Sequence, residues 1–200
     1  MKKVCIAITG PSGVGKTTLG NILVDRNNFV IPKHTTTREP RKDDQEGFYN
    51  YLTHDEFKKA VLNNEFLFWS GDSEIISKTN GNYYGILNPD FKKVETDDKI
   101  IIYISYKDVS NLLELIKNGK NIKIVNLVYD NISVTMAERL NNDERNHSKE
   151  DIQNRIRCAI NYEKEFYDIM HSDEIYRLST EQNDIEKTYC KVLKMIRKWK

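Results

Sequence analysis

Short continuous apolar runs alternate along this chain with segments in which apolar residues return every three or four places. Val4-Cys-Ile-Ala-Ile-Thr9 is the first run and has the form of a strand buried on both faces of a parallel sheet. A glycine-rich turn follows, and Lys16 to Arg26 then carries Leu19, Ile22 and Leu23 at helical spacing. Phe29 to Ile31 begins a further short strand, and the polar stretch His34 to Glu46, with Pro40 inside it, reads as a loop. Thr53-His-Asp-Glu56 has the form of a capping box and opens a helix through Phe57 to about Leu62. Ser70 to Gly85, rich in Gly, Ser, Asn and Thr, reads as an exposed loop or hairpin. Lys99 to Ser105 and Ile122 to Tyr129 are two more buried strands, followed by helices from about Ser110 to Asn118 and from Ser133 to Leu140 respectively. The pattern then predicts a long polar helix from Lys149 to about Met170, a strand from Glu174 to Leu178 and a last helix from Asp184 to Trp199. Strands alternating with helices, with no internal repeat or low-complexity linker, predict an α/β fold around a parallel sheet.

Composition narrows the function classes. The 200 residues fit one domain, and 31 Lys plus Arg against 30 Asp plus Glu leave a net charge of +1. No global field holds a nucleic acid or an anionic membrane, so an anion must be bound locally. Eleven Tyr, 7 Phe and 2 Trp supply the bulk for a core. Cys5, Cys158 and Cys190 show no CxxC spacing, which speaks against a disulfide framework or zinc site and for a reducing, cytoplasmic setting. Lys2 and Lys3 before Val4 to Ile8 imitate a signal peptide, but Thr9, Gly10, Pro11 and Ser12 cut the apolar run short. No other stretch approaches a membrane span. His147 and His171 lack partners at metal-ligand spacing and read as surface residues, while Lys191 to Lys200 reads as a helix with a packed apolar face and a cationic end.

Gly10-Pro-Ser-Gly-Val-Gly15-Lys16-Thr17 matches GxxxxGK[ST] between a predicted strand and a predicted helix, the context this phosphate-binding loop requires. Small residues let the backbone wrap an anion, and loop amides with the positive helix end supply donors. The nucleotide would be held by Gly10, Ser12, Gly13, Val14, Gly15, Lys16, Thr17 and Thr18, with Lys16 on the β- and γ-phosphates and the Thr17 hydroxyl on Mg²⁺. ATPases, GTPases and small kinases all use this loop. A guanine-reading NKxD segment, which a GTP switch protein would need, is absent from the sequence.

His34-Thr-Thr-Thr-Arg38-Glu-Pro-Arg41 sets two guanidinium groups three residues apart, a pair suited to forked phosphate binding. Together with Gly47 and Tyr49, Glu65-Phe-Leu, Gly81-Asn-Tyr-Tyr84-Gly85, and more weakly Arg139, Arg145, Ser148 and Arg155, the chain resembles the guanylate kinase family, nucleoside monophosphate kinases that transfer the γ-phosphoryl of ATP to GMP. The resemblance implies a three-layer α/β/α core (about 1–33, 87–135 and 157–200), an inserted acceptor-binding lobe (about 34–86) and a helical lid (about 136–156). It implies that Arg38, Arg41, Tyr49 and Tyr84 hold the acceptor's phosphate, that Arg155, Arg139 and Arg145 reach the transferring phosphoryl group from the lid, and that ATP and Mg²⁺ are required. Partners would be a small phosphorylated acceptor but neither nucleic acid nor membrane, and the protein a monomer or homodimer.

The guanine-reading positions depart from the family pattern. His34 stands in place of a serine, Phe68 of an acidic residue, Ile86 of a Ser or Thr, and Tyr103 and Ser105 of an Asp-x-Asp pair. About seven residues are also inserted between Trp69 and Gly81. An unpaired buried guanine edge costs about 1 to 3 kcal/mol per polar group. His34, Phe68, Ile86 and Tyr103 would instead form an apolar, aromatic pocket for another base or another phosphorylated molecule. Asp108 lies near the lost carboxylates in sequence. Some homologues of this family are scaffolding modules without catalysis, usually with a degraded loop; the intact Gly15-Lys16-Thr17 favours an enzyme.

Overall fold

The computed structural model describes residues 3–42, 44–70, 81–97, 99–142, 147–171, 173–180 and 184–199. A four-stranded parallel sheet, in the order β6 (Lys99–Tyr103), β1 (Val4–Thr9), β7 (Ile122–Tyr129), β8 (Ile175–Thr180), forms the centre. Alternation along β1 sorts its residues to two faces. Ile6 and Ile8 join Leu19 and Leu23 of α1 (Lys16–Asn27), Met136 and Leu140 of α5 (Ile132–Asn141), Ile152 of α6 (Lys149–Glu165) and Val192 of α8 (Ile185–Lys198). Cys5 and Ala7 join Ile100, Ile102, Ile124 and Leu112, the last from α4 (Val109–Lys117). The result is the three-layer α/β/α arrangement that the alternating pattern and the resemblance implied. All four strands point the same way, so β1, β6, β7 and β8 end at one edge, where open α/β sheets bind ligands.

A second four-stranded sheet lies between β1 and β6 in sequence, in the order β3 (Tyr49–Tyr51), β2 (His34–Thr36), β5 (Tyr84–Leu87), β4 (Phe66–Ser70). β2 pairs parallel with β3 and antiparallel with β5. The expected loop His34 to Glu46 therefore opens with a strand, whose three residues are too few to show a period. Phe29 to Ile31 contributes a single parallel bridge, Val30 to Ile100, in place of a strand. α2 (His54–Leu62) begins on the capping box, the Glu56 N–H donating to Thr53 Oγ1 at 3.2 Å and the Thr53 N–H to Glu56 Oε2 at 2.8 Å. Asn88–Val94 forms a short helix, α3, absent from the sequence reading. The helix expected over Lys149 to Met170 is two, α6 and α7 (Tyr167–Met170), divided at Phe166, whose ring packs into the second core cluster. The insertion after Trp69 falls on 71–80, outside the described residues. Among the described residues no helix is long and apolar enough to cross a membrane.

Candidate active site

The loop after β1 turns through Gly10 at φ +142°, where a Cβ would overlap the Leu127 carbonyl oxygen, so only glycine fits. Val14 is fully buried and anchors the loop in the core. Lys16 Nζ donates to the Gly10 and Pro11 carbonyls, both at 2.8 Å, and burial pulls its pKa down to about 8. Thr17 and Thr18 are exposed on the first turn of α1. Tyr129, at the end of β7, donates its hydroxyl to Ser12 O at 2.8 Å, and burial pushes its pKa up to about 12.

Two of the three expected lid arginines meet this loop. Arg139 lies 5.1 Å over the Tyr129 ring and donates to Val14 O at 3.2 Å. Arg155 donates from Nη1 to Ser12 Oγ at 3.0 Å and from Nε to Asp151 Oδ2 at 2.8 Å. Arg145 lies outside the described residues. A cavity of about 230 Å³ opens beside the loop, lined by Gly13, Gly15, Thr18, Arg139, Thr180, Asp184, Ile185 and Thr188. Its last four residues come from the end of β8 and the start of α8; no motif marks them in the sequence.

The residues expected to hold a second anion gather where β2 meets the loop before β3. Arg38 is 6% exposed and grips Asp44 with both arms of its fork, at 2.7 and 2.5 Å. The same carboxylate accepts from the Tyr51 hydroxyl at 2.5 Å and the Arg41 N–H at 2.7 Å. Tyr49 stacks under the guanidinium at 4.6 Å, and Tyr84 begins the neighbouring strand β5, opposite Thr36 and Ser70. These donors hold the Asp44 carboxyl far below the usual carboxylate range and Arg38 above its own, the Arg38–Asp44 hydrogen bonds being the main cause of both. Neither Asp44 nor Tyr51 was picked out by the motif, although a carboxylate three places after Arg41 is a natural counter-charge.

The expected base pocket is arranged differently. His34 is 5% exposed, and both ring nitrogens are engaged by backbone. Nδ1–H donates to Pro32 O at 3.0 Å and Nε2 accepts from the Tyr103 N–H at 3.3 Å, which fixes the neutral tautomer, and burial lowers its pKa to about 4. His34 thus ties β2 to β6 and has no nitrogen left to read a base. Phe68 and Ile86 point into the second core cluster beside Ile100 and Ile102, because an apolar side chain is better buried there than presented to a polar ligand. Tyr103 stays near His34, ring centroids 5.6 Å apart, with Phe48 stacked on His34 at 5.2 Å. The Tyr103 hydroxyl passes beneath α1 against Gly20, buried and without a hydrogen-bond partner among the described residues. Ser105 donates its N–H and hydroxyl to Asp108 Oδ2, both at 2.8 Å. Asp108 is 2% exposed, and burial raises its pKa to about 6. A carboxylate therefore does stand beside the lost Asp-x-Asp positions, three residues downstream.

The sequence model of the guanylate kinase family matches residues 2–199. A guanylate kinase of Prochlorococcus marinus (strain MIT 9312) is 28% identical over 198 residues, 98% of this chain and 97% of that protein. A guanylate kinase of Mesomycoplasma hyopneumoniae (strain 7448) is 36% identical over 117 residues, 56% of each chain, so the match spans only about half of that relative. The crystal structure of guanylate kinase from Anaplasma phagocytophilum shares the fold, with a TM-score of 0.66 at 19% identity over 98% of this chain and 85% of that one. With a GxxxxGK[ST] loop between β1 and α1 and a family match along nearly its whole length, the chain belongs to the guanylate kinase family.

Proposed function

We propose that the chain is an ATP-dependent phosphotransferase that moves the γ-phosphoryl of ATP to a nucleoside monophosphate or similar phosphorylated acceptor. The observation that carries this reading is the pair of anion sites, the loop around Lys16 with Arg139 and Arg155, and the Arg38 site on the second sheet. Lys16, its ammonium held by the Gly10 and Pro11 carbonyls, would reach the β- and γ-phosphates; Arg38, Arg41, Tyr49 and Tyr84 would orient the acceptor phosphate. Phosphoryl transfer passes through a loose, metaphosphate-like state, so positioning and positive charge do most of the catalysis. The loop residues fit ATP: Gly10 seats the loop against the Leu127 carbonyl of β7, the loop runs into the N-terminus of α1, where backbone amides favour an anion, and a cavity of about 230 Å³ opens beside it. Mg²⁺, when bound, would neutralise phosphate charge, and the Thr17 hydroxyl, exposed on the first turn of α1, would hold it.

GMP is the acceptor implied by the relatives' names, but the guanine-reading groups are changed. His34 is committed to backbone, Phe68 and Ile86 to the core, and Ser105 to Asp108. Discrimination of 10⁴-fold or more arises where a site hydrogen-bonds the correct substrate and leaves those groups unpaired against the wrong one. With those contacts gone, a panel of nucleoside monophosphates assayed by coupled ADP detection should show GMP preferred over the others by less than about tenfold. Efficient turnover of GMP alone would overturn the altered acceptor and leave plain guanylate kinase activity; no ATP binding at all would favour a scaffolding module.

A further inference from the structure

Arg155 does not reach the phosphate loop unaided. Ser148 caps α6, its Oγ accepting from the Asp151 N–H at 3.1 Å, and so sets Asp151 in the first turn. One oxygen of Asp151, Oδ2, accepts from two side chains: Arg155 Nε at 2.8 Å, one helical turn on, and His147 Nδ1 at 2.7 Å, just before the helix. The arginine continues to Ser12 Oγ. A planar guanidinium held at Nε by a carboxylate has its plane fixed, so its remaining N–H groups keep one heading. A solvated i, i+4 pair on a helix has no such geometry to protect. Here the histidine side chain is 8% exposed and the far end of the arginine lies on a different element. His147, read from sequence as a surface residue, is part of this chain of contacts.

We propose that His147 and Asp151 are positioning residues that hold Arg155 against the phosphate loop, aimed at the phosphoryl group in transfer. The inference rests on the phosphotransferase reading above and deepens it. An arginine that meets charge developing only in the transition state acts on kcat, so loosening its support lowers kcat and leaves substrate binding nearly unchanged.

The test compares Asp151→Asn, His147→Phe, Arg155→Ala and the double variant Asp151→Asn/Arg155→Ala, with MgATP and GMP as substrates. Arg155→Ala should lower kcat about a hundredfold or more, Asp151→Asn about tenfold or more and His147→Phe less, with both KM values within about twofold of wild type. The double variant should be no slower than Arg155→Ala alone, because Asp151 acts through that side chain. A second readout needs no acceptor: in nitrogen-15 spectra the Arg155 Nε–H, assigned by its loss in Arg155→Ala, should exchange slowly with solvent in wild type and faster in Asp151→Asn. A slow Arg155→Ala beside an Asp151→Asn of wild-type kcat and unaltered Nε–H exchange overturns the positioning role. A wild-type kcat for Arg155→Ala overturns the assignment of Arg155 to the transfer, and the inference with it.

Discussion

Gly20 sits inside α1 with no turn to make. A Cβ placed there would overlap the Tyr103 hydroxyl and stand 2.8 Å from its Cζ, and these are the nearest atoms. In an ordinary helix interior Gly→Ala stabilises by about 1 kcal/mol. Overpacking a filled core costs about 1 to 3 kcal/mol, and the Tyr103 ring cannot swing aside freely. It stands against His34 at 5.6 Å and Phe48 at 6.1 Å, and its own N–H is held by His34 Nε2. Gly20→Ala should therefore destabilise the protein by about 1 kcal/mol net, a fall in Tm of about 2 to 4 °C for a chain of this size. In a Tyr103→Leu background the same substitution meets no hydroxyl and no Cζ, so the propensity gain stands alone and the change should turn stabilising by about 1 kcal/mol. Urea unfolding of the four proteins of this cycle, at constant m, measures a coupling of about 2 kcal/mol, within the range of residues in contact. Equal effects of Gly20→Ala in both backgrounds would refute the steric argument.

Lys16 titrates near pH 8, and only its charged form counters phosphate. MgATP affinity measured by calorimetry should therefore fall about tenfold per pH unit above 8, and Lys16→Met should flatten that dependence. If Arg38 holds the acceptor's phosphate as proposed, Asp44→Asn releases its fork and removes a negative charge beside it, so KM for GMP should fall about tenfold with kcat held; a raised KM would mean that Asp44 aims Arg38 instead of competing for it. His34 and Asp108 oppose each other on acidification. The lowered pKa of His34 means the unfolded chain takes up a proton between pH 6.5 and 4 that the folded one refuses, a loss of about 3 kcal/mol as pH falls. The raised pKa of Asp108 lets the folded chain bind its proton first between pH 6 and 3.8, a gain of about 3 kcal/mol over nearly the same window. Asp108→Asn should thus unmask the histidine's slope in urea unfolding at pH 6.5 and pH 4, whereas an unchanged slope would refute the opposition.

What could be read from the chain follows from how each feature is encoded. The phosphate loop is contiguous and acts through its backbone, so eight adjacent residues state it. The parallel strands are continuous apolar runs for the same reason that they are buried on both faces. The second sheet is made of strands three to five residues long whose partners lie far away in sequence, and neither period nor composition marks them. Asp44 was hidden in a charged loop because its meaning depends on Arg38 folding back over it. Their place in the family pattern puts Phe68 and Ile86 in the pocket, but an apolar side chain at such a place is pulled by burial into the core instead.

Tyr103, at a position where the family resemblance implies an aspartate, has a physical consequence for α1. A ring at the end of β6 needs space that a carboxylate does not, and the space is found under α1, where Gly20 has no side chain. Seen alone, a glycine inside the first helix is only a weak position; seen with Tyr103, it is the space that the ring occupies. Tyr103 is in turn bonded through its N–H to His34, on the sheet that carries Arg38. The helix that begins with Lys16 and Thr17 is thereby packed, through one aromatic side chain, against the strand that leads to Arg38. Because Tyr103 links the helix that opens on the phosphate loop to the strand that leads to Arg38, substitutions at Gly20 should be felt at Arg38 as well as in the fold.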